Sequence, residues 1–221
     1  MAHTNAKKIY DLVGAEALLT EAEDLRRYLT GFSSSFGYVL SDKDGSVFYT
    51  DPRYLEAAEK ELKGSEISVE KYTSNFNDLL TKYKQIAIPV DRTLYSDYKK
   101  LQDSGLEIID SSSAFIRAMS VKEDYEIESI KKACQIADKA FLKLLSQIKE
   151  GMTENDVAAL LEFLMRDGGA SGTSFDTIVC FGESSSVPHH DTGMRKLKFG
   201  DIILIDFGCK YNGYCSDCTR T

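Results

Sequence analysis

The chain has 221 residues, 43% of them hydrophobic, which suits one large or two modest domains with real cores and excludes a disordered class. A net charge of -8 and a pI near 5.0, with no basic stripe or run, argue against a nucleic-acid surface. No segment approaches a membrane span, the start MAHTNAKKIYDLVG lacks the apolar core of a secretory signal, and five sparse cysteines read as reduced thiols; a cytoplasmic protein with no membrane partner is expected.

In chain order, AKKIYDLV and EAEDLRRYL read as amphipathic helices, and FGYVLSDKDGSVFYTD reads as a hairpin turning at Asp44-Gly45. Pro52 then opens a helix in PRYLEAAEKEL, where its missing N–H does no harm. KQIAIPV and LEIID are strands, with a helix TLYSDYKKLQDSG between them that stops at Gly105. Residues 1–120 are thus expected to form an α/β domain.

From about Val121 the pattern changes to a long helix with Ile127, Ile130, Cys134, Ala137, Phe141, Leu144 or Leu145 and Ile148 on its apolar face, stopped by Gly151. TEND resembles a capping box at Thr153 before a second helix, VAALLEFLMRDGG. An extended TSFDTIVCFG, a polar loop ESSSVPHHDTG and a terminal hairpin complete residues 121–221.

The terminal hairpin IILIDFGCKYNGYCSDCTRT places two aspartates, Asp206 and Asp217, inside segments that otherwise read as strands. Asn212-Gly213 is a strong two-residue turn signal, which sets Tyr211 opposite Tyr214, Gly208 opposite Asp217 and Phe207 opposite Cys218. Side-chain alternation then puts Asp206 and Asp217 on one face as diagonal neighbours, roughly 7 Å apart or less, beside a glycine that leaves them room. Two converging carboxylates repel, so a positive partner belongs between them: Arg220 or another basic side chain, which makes the pair structural, or metal ions, which makes it chemical. Cys215 and Cys218 have CxxC spacing but point to opposite faces of a strand, so no zinc knuckle is expected. DFG carries no kinase meaning without a glycine-rich phosphate loop. His189 and His190 stand in the polar loop either as exposed imidazoles or with one as a proton donor or acceptor near the aspartates.

SGTSFDTIVCFG, PHH, GDIILIDFG and GYCSDCTRT, in this order and spacing, resemble the pita-bread metallopeptidases of the Xaa-Pro dipeptidase (prolidase) and aminopeptidase P family. YLTGFSSSFGYVL and FYTDPRYLEAAEK are similar to that family's creatinase-type N-terminal domain, and IRAMSVKEDYEIESIKKACQIADKAF to its interdomain helix. The resemblance implies an α/β N-terminal creatinase-like domain plus an α+β first half of a pita-bread fold. It implies two divalent ions, manganese first, with cobalt or zinc as alternatives, held by two aspartates, one histidine and two glutamates. Asp206 and Asp217 match the aspartates, Asp217 as the bridging ligand, and oxygen-rich ligation suits manganese. His189 matches the substrate-positioning histidine, and His190 receives no role.

The activity so implied is hydrolysis of Xaa-Pro bonds in proline-containing peptides, with the ions activating water and polarising the scissile carbonyl. The family's remaining histidine and two glutamates lie in the second half of its catalytic domain, beyond the position matched by Thr221. The metal site is therefore expected to be incomplete and the 221 residues inactive alone, as a fragment of a longer peptidase; a non-catalytic relative that binds protein or peptide is the alternative. Half a two-half domain leaves an apolar sheet face uncovered, so a homodimer or another partner is expected.

Overall fold

The computed structural model describes residues 4–74 and 76–221. The chain divides into two compact units, the first ending at Val121 and the second beginning at Lys122.

The first unit runs α1 (Ala6–Val13), β1 (Ala17–Thr20), α2 (Glu23–Thr30), β2 (Tyr38–Asp42), β3 (Gly45–Thr50), α3 (Leu55–Glu61), β4 (Ile67–Lys71), α4 (Phe76–Leu80), β5 (Gln85–Ile88), α5 (Tyr95–Asp103), β6 (Glu107–Asp110) and α6 (Ser112–Ser120). Its six strands form one sheet in the order β4-β3-β2-β1-β5-β6. The β1–β2 and β2–β3 pairs are antiparallel, whereas β3–β4, β1–β5 and β5–β6 are parallel and need helical crossovers. β1 is apolar at three successive positions and buried throughout, because alternate residues serve opposite faces. Leu18, Val39, Phe48 and Ala87 join one core with Ile9, Leu25, Leu29, Ala58 and Phe115 of the helices. Ala17, Leu19, Leu40, Ile86 and Ile88 join a second with Phe76 and Leu80. The unit is a three-layer α/β/α domain.

The β2–β3 turn differs from expectation. Asp42 pairs with Gly45, so the loop residues are Lys43 and Asp44, and Gly45 opens the strand at φ 140. The cause is the Asp42 carboxylate, which accepts the Asp44 N–H at 2.9 Å and makes the turn itself. Pro52 likewise lies in a turn ahead of α3, which starts at Leu55, because the Asp51 side chain accepts the Arg53 N–H at 2.9 Å.

The second unit runs α7 (Asp124–Leu145), α8 (Glu154–Asp167), β7 (Gly172–Thr173), β8 (Ile178–Phe181), β9 (Ile203–Phe207), β10 (Cys209–Tyr211), β11 (Tyr214–Cys215) and β12 (Cys218–Arg220). Two three-stranded sheets, β11-β10-β7 and β12-β9-β8, have one face covered by α7 and α8. Thr153 caps α8 as expected: its hydroxyl accepts the Asp156 N–H at 3.0 Å while the Asp156 carboxylate accepts the Thr153 N–H at 2.8 Å. α7 is turned from the predicted stripe. Ala133, Ile136, Ala137, Ala140 and Leu144 are buried, whereas Ile127 and Cys134 are exposed. Small residues let the helix approach β10 closely, where the Cys209 thiol donates to the Ala133 carbonyl at 3.3 Å. α7 also ends at Leu145, six residues before Gly151.

Candidate functional site

β9 and β12 pair with Phe207 opposite Cys218 and Asp206 opposite Thr219, and β10 and β11 continue the same register to Tyr211 opposite Tyr214. Asn212 and Gly213 make the turn at φ 47 and 70. Midway, the Ser216 hydroxyl accepts the Cys209 N–H at 3.0 Å in place of a ladder carbonyl. That displacement brings the Ser216 carbonyl onto Gly208, where a Cβ would lie 2.0 Å from its oxygen. The glycine therefore makes room for backbone, not for the carboxylates as expected.

Ile205 and Phe207 enter the helix-covered core and Cys218 packs against it. By alternation Asp206, Asp217 and Thr219 face the other way. Asp206 is half-buried, accepting the Thr219 hydroxyl at 2.8 Å, and Asp217 is exposed. Arg220 is not their counter-ion. It lies on the core side, donating to the Cys218 sulfur at 2.6 Å and the Thr219 carbonyl at 2.9 Å, with a second nitrogen 3.6 Å from Asp138 of α7. Two acceptor-only carboxylates, one oriented by a hydroxyl, fit a hard divalent cation in donor type. In number they fall short: among the described residues no group of three His, Cys, Asp or Glu is placed to hold a metal.

The histidine loop reaches the same sheet. Ile178 of β8 pairs with Asp206, and the free edge of β8 is taken by Thr192, whose hydroxyl accepts the Val179 N–H at 2.8 Å and donates to the Thr177 carbonyl at 3.0 Å. His189 is exposed, with a left-handed φ of 55. His190 instead turns inward, its Nε2 3.0 Å from Oε2 of Glu154. Arg195 spans Glu183 at 2.6 Å and Asp201 at 2.8 Å, which ties the ends of the loop and holds both carboxyls below their usual range. Burial pushes the Cys180 thiol up, with the Glu154 and Asp206 carboxylates adding to it, so it stays neutral. Sequence reasoning missed Glu154. Its only signal was an acidic residue in a helix's first turn, which ordinarily reads as a partner of the helix dipole.

Residues 4–119 match the creatinase/prolidase N-terminal domain and residues 128–221 match metallopeptidase family M24. The chain belongs to the creatinase/prolidase family, whose N-terminal domain spans more than half of it. Among its relatives, the uncharacterized peptidase YqhT of Bacillus subtilis is 34% identical over 97% of this chain and 63% of its own length. The Xaa-Pro dipeptidase of Pyrococcus furiosus is 34% identical over 84% of this chain and 53% of its own. The crystal structure of the X-Pro aminopeptidase from Thermotoga maritima superposes with a TM-score of 0.88 at 34% identity, covering 96% of this chain and 64% of that one. The chain thus spans less than two thirds of the length of these relatives, and it carries a creatinase-type domain with part of the M24 pita-bread domain. Among the described residues no helix is long and apolar enough to cross a membrane.

Proposed function

We propose that the chain supplies two metal ligands and the substrate-positioning histidine of a peptidase that hydrolyses Xaa-Pro bonds in proline-containing peptides. The observation that carries this reading is the single hairpin register that sets Asp206 and Asp217 on one face, away from the core, with Arg220, one of the candidates to neutralise them, engaged elsewhere. Asp206 and Asp217 hold divalent ions, manganese first. When bound, such ions lower the pKa of water and polarise the scissile carbonyl. Thr219 fixes the Asp206 carboxylate by donating to it, and His189 hydrogen-bonds the substrate from the loop along β8. The pair provides two of the five ligands the family uses, so residues 1–221 form the first half of the catalytic centre and are inactive alone. Five free cysteines support a cytoplasmic location. Exposed Phe199 and Ile202 support a homodimer or another partner over this unit.

Isothermal titration with manganese, with Xaa-Pro dipeptide hydrolysis measured beside it, tests the reading. The chain is expected to bind manganese weakly, to lose at least tenfold in affinity with Asp206→Asn or Asp217→Asn, and to release no proline. Binding unaffected by either substitution would remove the metal role. Hydrolysis by the mass-verified chain that Asp206→Asn abolishes would show a complete site. Among the described residues no third ligand joins the two carboxylates, which favours a second reading, a non-catalytic peptide-binding relative; it predicts peptide binding that is indifferent to manganese and to both substitutions.

A further inference from the structure

The Glu154 side chain is 1% exposed, and its carboxylate is occupied by three donors from outside its own helix. Oε1 accepts the Phe181 N–H at 2.9 Å, and Oε2 accepts the Gly193 N–H at 3.0 Å with His190 Nε2 also at 3.0 Å. Phe181 is the last residue of β8 and Gly193 lies where the following loop returns, so one buried carboxylate closes the loop at both ends. Thr192 pins the returning arm a second time, on the free edge of β8. Between these anchors His189 keeps a left-handed backbone, which is uncommon for a residue with a Cβ. His190 is drawn in to Glu154 while its neighbour His189 is left exposed in the loop that Thr192 ties to β8, the strand that pairs with Asp206.

We infer that Glu154 and His190 are positioning residues for His189, an inference that rests on the reading of His189 as the peptide-binding histidine. The charge-assisted bond from His190 Nε2–H to Glu154 takes one imidazole out of play and orients it; the backbone that follows presents the other. The geometry assigns the two adjacent histidines different tasks, one as anchor and one as substrate contact. Asp206 and Asp217 gain a preorganised donor across the sheet without a metal-ligating histidine in the loop.

The test uses nitrogen-15 NMR of the 221-residue chain with Glu154→Gln, His190→Ala and His190→Gln. In the unaltered protein His190 should show one tautomer with an exchange-protected Nε2–H, and His189 one set of ring signals. Glu154→Gln and His190→Ala should each remove that signature, average the His189 ring signals and speed amide exchange at Gly193 and its neighbours at least tenfold, leaving the β9–β12 amides unchanged. His190→Gln, which keeps an N–H near the Nε2 position, should restore most of the protection. His189 signals and loop exchange unchanged in both disrupting variants would overturn the inference. So would protection lost evenly across the second unit, or loss in His190→Gln equal to that in His190→Ala. His190→Ala, at a partly exposed site, keeps the test decisive if Glu154→Gln does not fold. The underlying reading is tested separately by His189→Ala: titration with an Xaa-Pro dipeptide should shift signals near His189 and lose that response in the variant. A dipeptide response intact in His189→Ala removes the peptide role, while the exchange data still decide whether the pair orders the loop.

Discussion

At the scale of single residues, Gly208 and Arg220 show how one position changes the meaning of its neighbours. Gly208 is where β9 passes into β10, and the Ser216 carbonyl occupies the space a side chain needs, with the Ser174 hydroxyl 2.8 Å from the same point. The first obstacle belongs to the folded hairpin and the second to the segment that follows β7, and the nearer is backbone. Gly208→Ala should therefore destabilise the second unit by about 3 kcal/mol or more, read as a lowered urea midpoint. A change within about 0.5 kcal/mol would mean that the hairpin relaxes around the methyl. The sequence contained the register and the Asn212-Gly213 turn, but not the partner of Arg220. A β-strand period says which face a side chain leaves from; reaching Asp138 depends on where α7 lies, which no local pattern encodes.

At the scale of elements, α8 shows a helix start doing two things. Thr153 and Asp156 satisfy the first-turn amides, while Glu154 is buried among loop donors. Burial alone would push the Glu154 carboxyl up, but His190 and the Phe181 and Gly193 amides outweigh it and leave the group below its ordinary 4.5. A carboxyl depressed in the folded state contributes stability in full above its unfolded pKa, and loses that contribution as pH falls through the folded one. The stability difference between the unaltered protein and Glu154→Gln should accordingly shrink as the pH drops below the carboxyl's ordinary value. Denaturant titrations at stepped pH will show this, and a difference that grows on acidification would contradict the assigned direction. The capping box was legible from TEND because its partners are three residues apart. The Glu154–His190 pair, 36 residues apart, was not.

At the scale of the whole molecule, the cores are separate. The two clusters around the six-stranded sheet draw only on the first unit, and the cluster under α7 and α8 only on the second. A domain with its own core folds alone, so residues 1–121 expressed by themselves should give dispersed amide spectra and one cooperative melt. An unfolded product would mean that residues beyond Val121 stabilise the first unit.

Sequence alone determined the α/β succession of the first unit, the helix-then-hairpin order of the second, the shared face of Asp206 and Asp217, and the family. Each depends on periodicity, turn chemistry or motif spacing, which act within a few residues of the chain. Only the tertiary structure decided which side of α7 is buried, that Arg220 reaches toward Asp138 of α7, that Gly208 yields to a carbonyl, and that Glu154 gathers the histidine loop. Those outcomes depend on distances between segments remote in sequence. Small residues, and carboxylates that suit a helix's first turn as well as a buried anchor, leave such distances unspecified until the chain is packed.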